Sequence, residues 1–249
     1  GLGIITELPI VIINIQRGGP STGLPTKTEQ SDLNQAMFGR NGECPAVVIA
    51  CQSPSDCFET AFTACKIALE FMVPVMLLSD GYIANGSEPW KLPDLDKLSD
   101  IKTRKMKELN EEEFSPYKRD EKTLSRPWAL PGQKGLEHRI GGLEKADITG
   151  HVSYDPDNHH HMVKLRQEKI DIIANFIPEA KVYGEEKGDI LVLGWGGTYG
   201  SIRAAVEKCN QEKLSVSHLH LKYLNPLPKN LGEILLRFKK VLIPEINLG

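Results

Sequence analysis

Apolar positions along this chain come in short blocks rather than in alternation. "PIVIINI" (9–15), "PAVVIACQ" (45–52) and "VPVMLLSD" (73–80) are continuous apolar runs led by β-branched residues. Runs of that length predict strands buried on both faces, as in a parallel sheet. Helical patterns lie between them. "TEQSDLNQAMFG" (28–39) predicts a helix capped by Thr28 and stopped by Gly39. "SPSDCFETAFTACKIALEFM" (53–72) predicts a longer one, with Ser53 as cap and Pro54 in the first turn. Phe58, Phe62, Cys65, Leu69 and Met72 would form its core-facing stripe. Strand, helix, strand, helix, strand in this order implies right-handed crossovers and a parallel sheet.

From about residue 88 to 187 the texture changes, and this stretch is expected to be an irregular connector. "SEPWKLPDLDKL" is broken by prolines, and "DIKTRKMKELNEEEF" (100–114) predicts a solvated helix or an exposed connection. "LPGQKGLEHRIGGLEKADITGHVSYDPDN" predicts loops with short hairpin strands. A long helix should follow, with Asp155 or Asp157 near its cap and Pro178 past its end. A second α/β unit is expected over 188–249. "DILVLGW", "LSVSHLHL" and "KVLIPEI" read as its strands, and "TYGSIRAAVEKCNQE" and "LGEILLRF" as its helices. The fold class is therefore α/β with parallel sheets. The opening "GLGIITELP" reads as the last turn of a helix, and the end at "VLIPEINLG" stops just past a strand. Both ends suggest a piece of a longer protein.

The candidate chemistry sits in the first loop, "RGGPSTGLPTKTEQ" (17–30), at the carboxyl end of the first strand. In open α/β sheets ligands bind at that edge. Glycines with serine and threonine offer backbone N–H groups and hydroxyls to an anion, and Arg17 adds a forked permanent cation suited to a carboxylate. A tight turn with Arg17 in a surface ion pair fits the glycines and prolines equally well. The glycine spacing is wrong for a phosphate loop of the GxxxxGK[ST] type. "GWGGTYG" (194–200) approaches a dinucleotide fingerprint, but Tyr199 stands where the third glycine belongs, so a structural turn is expected. "SDGYIANGSEPW" (79–90) is expected to be a turn on the same sheet edge.

Net charge is −3, which suggests neither nucleic acid nor an anionic membrane as partner. The apolar runs are far too short to cross a bilayer. The five cysteines are irregularly spaced with no CxxC pair. That points to reduced thiols in a cytoplasmic protein, with Cys57 and Cys65 as small core residues, and not to zinc or iron–sulfur ligation. His159, His160 and His161 point around a helix and cannot easily share one metal ion; polar contacts near the helix start are expected. His218 and His220 share one strand face, as satisfied or interface histidines rather than ligands.

Taken together, "QRGGPSTGLPTKTEQSDL", "SPSDCF", "LLSDGYIANGSEPW", "GLEH", "DPDNH" and "VLGWGGTYG" resemble the α subunit of the 2-oxoacid:ferredoxin oxidoreductases, most closely the 2-oxoglutarate type. The resemblance runs in order along essentially the whole chain. It implies an enzyme that uses thiamine diphosphate to decarboxylate a 2-oxo acid. Electrons pass through an iron–sulfur cluster to ferredoxin, and the acyl group goes to coenzyme A. It further implies that residues 1–87 are the C-terminal part of a pyrimidine-binding domain and that 188–249 form a truncated transketolase C-terminal-like domain. Thiamine diphosphate would be shared with a β subunit that holds the Mg²⁺ and the [4Fe–4S] cluster. On this resemblance Arg17 holds the substrate's 1-carboxylate, Thr22 and Thr26 line the substrate side, and Lys27 is a weaker candidate for the distal carboxylate. The glutamate that activates the aminopyrimidine and a further substrate threonine would lie upstream of Gly1. No catalytic residue is then expected in this chain, nor activity from it alone. Pyruvate or a branched-chain 2-oxo acid is the alternative substrate, and a non-catalytic anion-binding or assembly module the alternative function.

Overall fold

The computed structural model describes residues 1–105 and 114–249. Most of the expected segment 100–114 lies outside the described residues. The chain begins with a single turn, α1 (Leu2–Ile5), followed by β1 (Ile10–Gln16), α2 (Leu33–Phe38), β2 (Val47–Ala50), α3 (Cys57–Phe71), β3 (Pro74–Asp80) and α4 (Gly81–Asn85). Later come α5 (Pro156–Ile172), β4 (Val182–Tyr183), β5 (Gly188–Trp195), α6 (Tyr199–Gln211), β6 (Val216–Leu221), β7 (Tyr223–Asn225), α7 (Leu231–Leu236) and β8 (Phe238–Leu242).

Two four-stranded sheets form, in the orders β1-β3-β2-β7 and β4-β6-β5-β8. β1, β3 and β2 are parallel, as are β6, β5 and β8. The short strands β4 and β7 had no sequence signal and add antiparallel edges. β7 lies within the expected second unit yet pairs with β2 of the first sheet. Alternation along β2 explains the layering. Val47 and Ile49 face a core built with Ala64, Ile67 and Phe71 of α3 and Ile170 of α5. Val48 and Ala50 face a core shared with Leu191, Leu193, Leu219 and Leu221 of the second sheet.

Several local expectations are corrected. β1 is an edge strand rather than one buried on both faces, and Ile10, Ile12, Ile13 and Ile15 are exposed. Thr28 caps nothing: α2 starts at Leu33 with Asp32 at the N-cap. Ser53 does not cap α3, which starts at Cys57; its hydroxyl donates instead to Glu88 at 2.5 Å. The buried stripe of α3 is Thr60, Ala64, Ile67, Ala68 and Phe71, one position round from the aromatic stripe expected. Small residues there let the helix sit close on the sheet. Met72 is buried, Phe58, Phe62 and Leu69 are only half-buried, Cys57 is half-buried and Cys65 is exposed.

The connector hides a charged core. Glu7 is buried between Arg119 and Lys169, and Arg119 also pairs with Asp147 at 2.6 Å. Arg126, 1% exposed, donates to the carbonyls of Thr6 and Glu7. The buried ring of Tyr117 lies 5.3–6.0 Å from the cationic groups of Arg126, Arg119 and Lys145. No regular hairpin forms here among the described residues; single bridges such as Tyr117↔Ile148 and Lys145↔Val152 take its place. The expected long helix is present as α5, with the Asp155 carboxylate accepting from the Asp157 N–H.

Candidate functional site

The parallel order of β1, β3 and β2 brings their carboxyl ends, at Gln16, Asp80 and Ala50, to one edge of the first sheet. The 17–27 loop leaves that edge and folds back on itself. Gly18 N–H donates to Lys27 O at 3.2 Å, Leu24 N–H to Gly18 O at 2.8 Å, and Lys27 N–H to Leu24 O at 3.2 Å. The Gly19 N–H is held by Glu29 Oε2 at 3.0 Å. Gly23 has φ +42, and a Cβ there would meet Gly18 O at 2.0 Å, so no other residue closes this turn. Beside Gly19 a Cβ would meet nothing within 4 Å, which leaves the backbone open to a flat group.

Arg17, Thr22, Thr26 and Lys27 all sit on this loop and all are exposed. Among the described residues, no hydrogen bond or ion pair engages the Arg17 guanidinium. The surface ion pair that a simple turn would offer Arg17 does not form among the described residues. A guanidinium fork without a protein partner can offer two parallel N–H donors to a carboxylate. The structure places Thr26 at φ +64, beside Lys27, whose carbonyl packs within 3.3 Å of a Cβ built on Gly81.

The loop's supports were not legible as functional residues. Gln16, the last residue of β1, is buried and uses both ends of its amide. Its Nε2 donates to Ser79 O at 3.1 Å and its Oε1 accepts from the Asp32 N–H at 3.1 Å. Asp80 closes β3 and caps α4, accepting from Tyr82 N–H at 2.8 Å and Ile83 N–H at 3.0 Å. The expected 79–90 turn is thus a short capped helix over 81–85. Asp80 Oδ2 also accepts from Gly197 N–H at 3.1 Å, and Gln30 Nε2 donates to Trp195 O at 3.2 Å. "GWGGTYG" is accordingly a structural turn, which meets the first sheet's edge through Gly197 and His220 of its own sheet through Gly196 O at 3.0 Å. An aspartate at a strand end before glycine was the available signal for Asp80; nothing local distinguishes Gln30.

The remaining motifs have other partners. Burial pushes the Cys51 thiol up to about 12 and raises that of Cys57, so neither is poised as a nucleophile. His159 contacts Glu144 at 2.7 Å and His161 contacts Asp147 at 3.1 Å, the polar contacts expected of that run. His218 and His220 do share a face, with ring centroids 5.5 Å apart and Tyr199 against both. Among the described residues neither ring nitrogen of the buried His218 has a hydrogen-bond partner. Among the described residues no group of three or more acidic, histidine or cysteine side chains could hold a metal ion, and no helix is long and apolar enough to cross a membrane.

A family model described as pyruvate flavodoxin/ferredoxin oxidoreductase, thiamine diphosphate-binding, matches residues 1–154. The 2-oxoglutarate oxidoreductase subunit KorA of Mycobacterium tuberculosis is 55% identical over 251 residues, covering 100% of this chain and 38% of that protein. The 2-oxoglutarate synthase subunit KorA of Methanothermobacter thermautotrophicus is 31% identical, over 100% of this chain and 65% of its own. The solved 2-oxoglutarate:ferredoxin oxidoreductase from Magnetococcus marinus, with 2-oxoglutarate, coenzyme A and succinyl-CoA bound, superposes with a TM-score of 0.90 at 32% identity. That match covers 100% of this chain and 43% of the other. The chain thus spans between 38% and 65% of the length of these relatives. With the parallel α/β fold and the glycine loop at the sheet's carboxyl edge, the match over 1–154 shows that this chain belongs to the pyruvate flavodoxin/ferredoxin oxidoreductase family and carries its thiamine diphosphate-binding domain.

Proposed function

We propose that this chain is the substrate-gripping part of the α subunit of a 2-oxoglutarate:ferredoxin oxidoreductase. The observation that carries the reading is the unpaired Arg17 guanidinium on a preorganised loop, in a chain 55% identical to a 2-oxoglutarate oxidoreductase subunit. Arg17 holds the 1-carboxylate of the acid by a bidentate, charge-assisted pair. Thr22 and Thr26 line the substrate side, and Lys27 stands one loop-neck hydrogen bond away for the distal carboxylate. The open backbone at Gly19 fits close approach by a flat cofactor ring.

When bound, thiamine diphosphate supplies the electron sink for decarboxylation. This chain's residues orient the acid and neutralise its charge, and the shape of the loop is set before substrate arrives. Overall, 2-oxoglutarate, coenzyme A and two oxidised ferredoxins give succinyl-CoA, CO₂, a proton and two reduced ferredoxins. The diphosphate, its Mg²⁺ and the [4Fe–4S] cluster are assigned to a β subunit. Residues 1–87 are read as the pyrimidine-side unit, 88–187 as the connector and 188–249 as the transketolase C-terminal-like unit, in a cytoplasmic heteromer.

The test is coenzyme-A-dependent viologen reduction by the full-length α chain with its β subunit. It is run with 2-oxoglutarate, pyruvate and 2-oxoisovalerate. A rate far higher with 2-oxoglutarate supports the reading. Preference for another acid keeps the chemistry and overturns the substrate. No reduction, with cofactor and cluster bound, leaves an anion-binding assembly module.

A further inference from the structure

We propose that Asp80 is a positioning residue for the Arg17 loop: it clamps the 196–198 turn and the α4 N-terminus together and so holds the loop in its gripping shape. The inference rests on the reading of Arg17 given above. Asp80 is 1% exposed, and among the described residues its carboxylate is met by three backbone N–H groups and no cation. Oδ1 serves α4 and Oδ2 serves the turn, so one side chain joins the two sheets' edges.

The turn is shaped for this contact. A Cβ on Gly197 would fall 2.3 Å from Asp80 Oδ2, and one on Gly196, at φ +61, would fall 2.1 Å from Gln30 Nε2. Only two consecutive glycines allow the turn to lie against both residues. From there the coupling reaches the loop along two routes. Gln30, just beyond the loop, is tied to Trp195 O by its side chain and to Ile246 and Asn247 by its backbone. On the other side Asp80 is in register with Gln16, which precedes Arg17, and the next residue, Gly81, lies so near the loop's end that a Cβ on it would fall 3.3 Å from Lys27 O. Both feet of the loop therefore rest on elements that Asp80 holds.

Asp80→Asn separates the clamp from the cap. Asparagine caps helices as well as aspartate does, so its oxygen can still serve α4. The amide NH₂ then faces the Gly197 N–H, donor against donor, and that bond is lost. Gly197→Ala breaks the same contact from the other side.

The experiment uses the full-length chain with its β subunit. In Asp80→Asn, amide exchange at Gly197, Gly18 and Leu24 should rise about tenfold, while Tyr82 and Ile83 stay protected. For 2-oxoglutarate, kcat/KM should fall about tenfold in Asp80→Asn and in Gly197→Ala, but less than twofold when Arg17 is already alanine. A purely structural Asp80 would lose equally in both backgrounds, and that result overturns the proposal. Wild-type exchange at Gly18 and Leu24 in both variants overturns it as well, whether or not the acid is turned over. Failure of the wild-type complex to use any 2-oxo acid removes the proposed function, and the exchange measurement still decides the clamp.

Discussion

Arg17 stands exposed on its loop. Its guanidinium has no protein partner among the described residues, so truncation releases no buried group and should leave the fold intact. Arg17→Ala is expected to raise the barrier by roughly 2–5 kcal/mol, read as kcat/KM for 2-oxoglutarate in the αβ complex. Arg17→Lys should recover only part of this, because an ammonium cannot fork onto a carboxylate. An Arg17→Ala enzyme with wild-type kcat/KM would remove the residue from the site. Gly23→Ala should lose activity through the loop itself, since its Cβ collides with Gly18 O. Its melting temperature should change far less than its kcat/KM, because the loop is exposed.

At the scale of elements, two buried polar clusters control stability. On β6, burial and then the nearby Arg203 push His218 down to about 4. Burial and then His218 push His220 down to about 3. The unfolded chain takes up these protons near pH 6.5, and the folded chain refuses them until pH 3–4. Stability is therefore full above pH 6.5 and falls as pH drops towards 4. At pH 5 each histidine should have cost about 2 kcal/mol. His218→Leu should flatten that slope in denaturant titrations at pH 5 and 7.5; an unchanged slope would place the acid sensitivity elsewhere. The second cluster anchors α5 and the connector to the start of the chain. Despite the cost of burial, Lys169 and Arg119 hold the Glu7 carboxyl below its usual range. Glu7→Gln leaves the buried Lys169 without a counter-charge, while Arg119 keeps Asp147, and should cost about 3–5 kcal/mol, read as a fall in the denaturation midpoint.

For the whole molecule, the two sheets share a core. Val48, Ala50 and Leu78 of the first pack with Leu191, Leu193, Leu219 and Leu221 of the second, and β7 hydrogen-bonds across the expected boundary near 188. Such a chain should unfold as one unit. Tryptophan fluorescence and far-ultraviolet circular dichroism should give coincident denaturation curves. Two separated transitions would mean that the sheets are independent bodies. The same junction brings Gly197 to Asp80 and Trp195 O to Gln30, residues of the first sheet's carboxyl edge.

Local pattern sufficed for the strands β1, β2, β3, β5, β6 and β8, the helices α3, α5, α6 and α7, and the loop that bears Arg17. Those features are local: apolar runs of strand length, helical spacing, and glycines at turns. Packing set what local pattern cannot encode. "PIVIINI" has the composition of a buried strand, yet its place at the sheet's edge leaves it exposed. Phe58 and Phe62 look like a core stripe, yet close packing on the sheet selected Ala64 and Ile67 instead. Pairing of β7 with β2, the charged core around Glu7, and the contact of Asp80 with Gly197 join residues more than a hundred positions apart. Each depends on which faces meet once the chain has closed, and hydrophobic periodicity is silent on that.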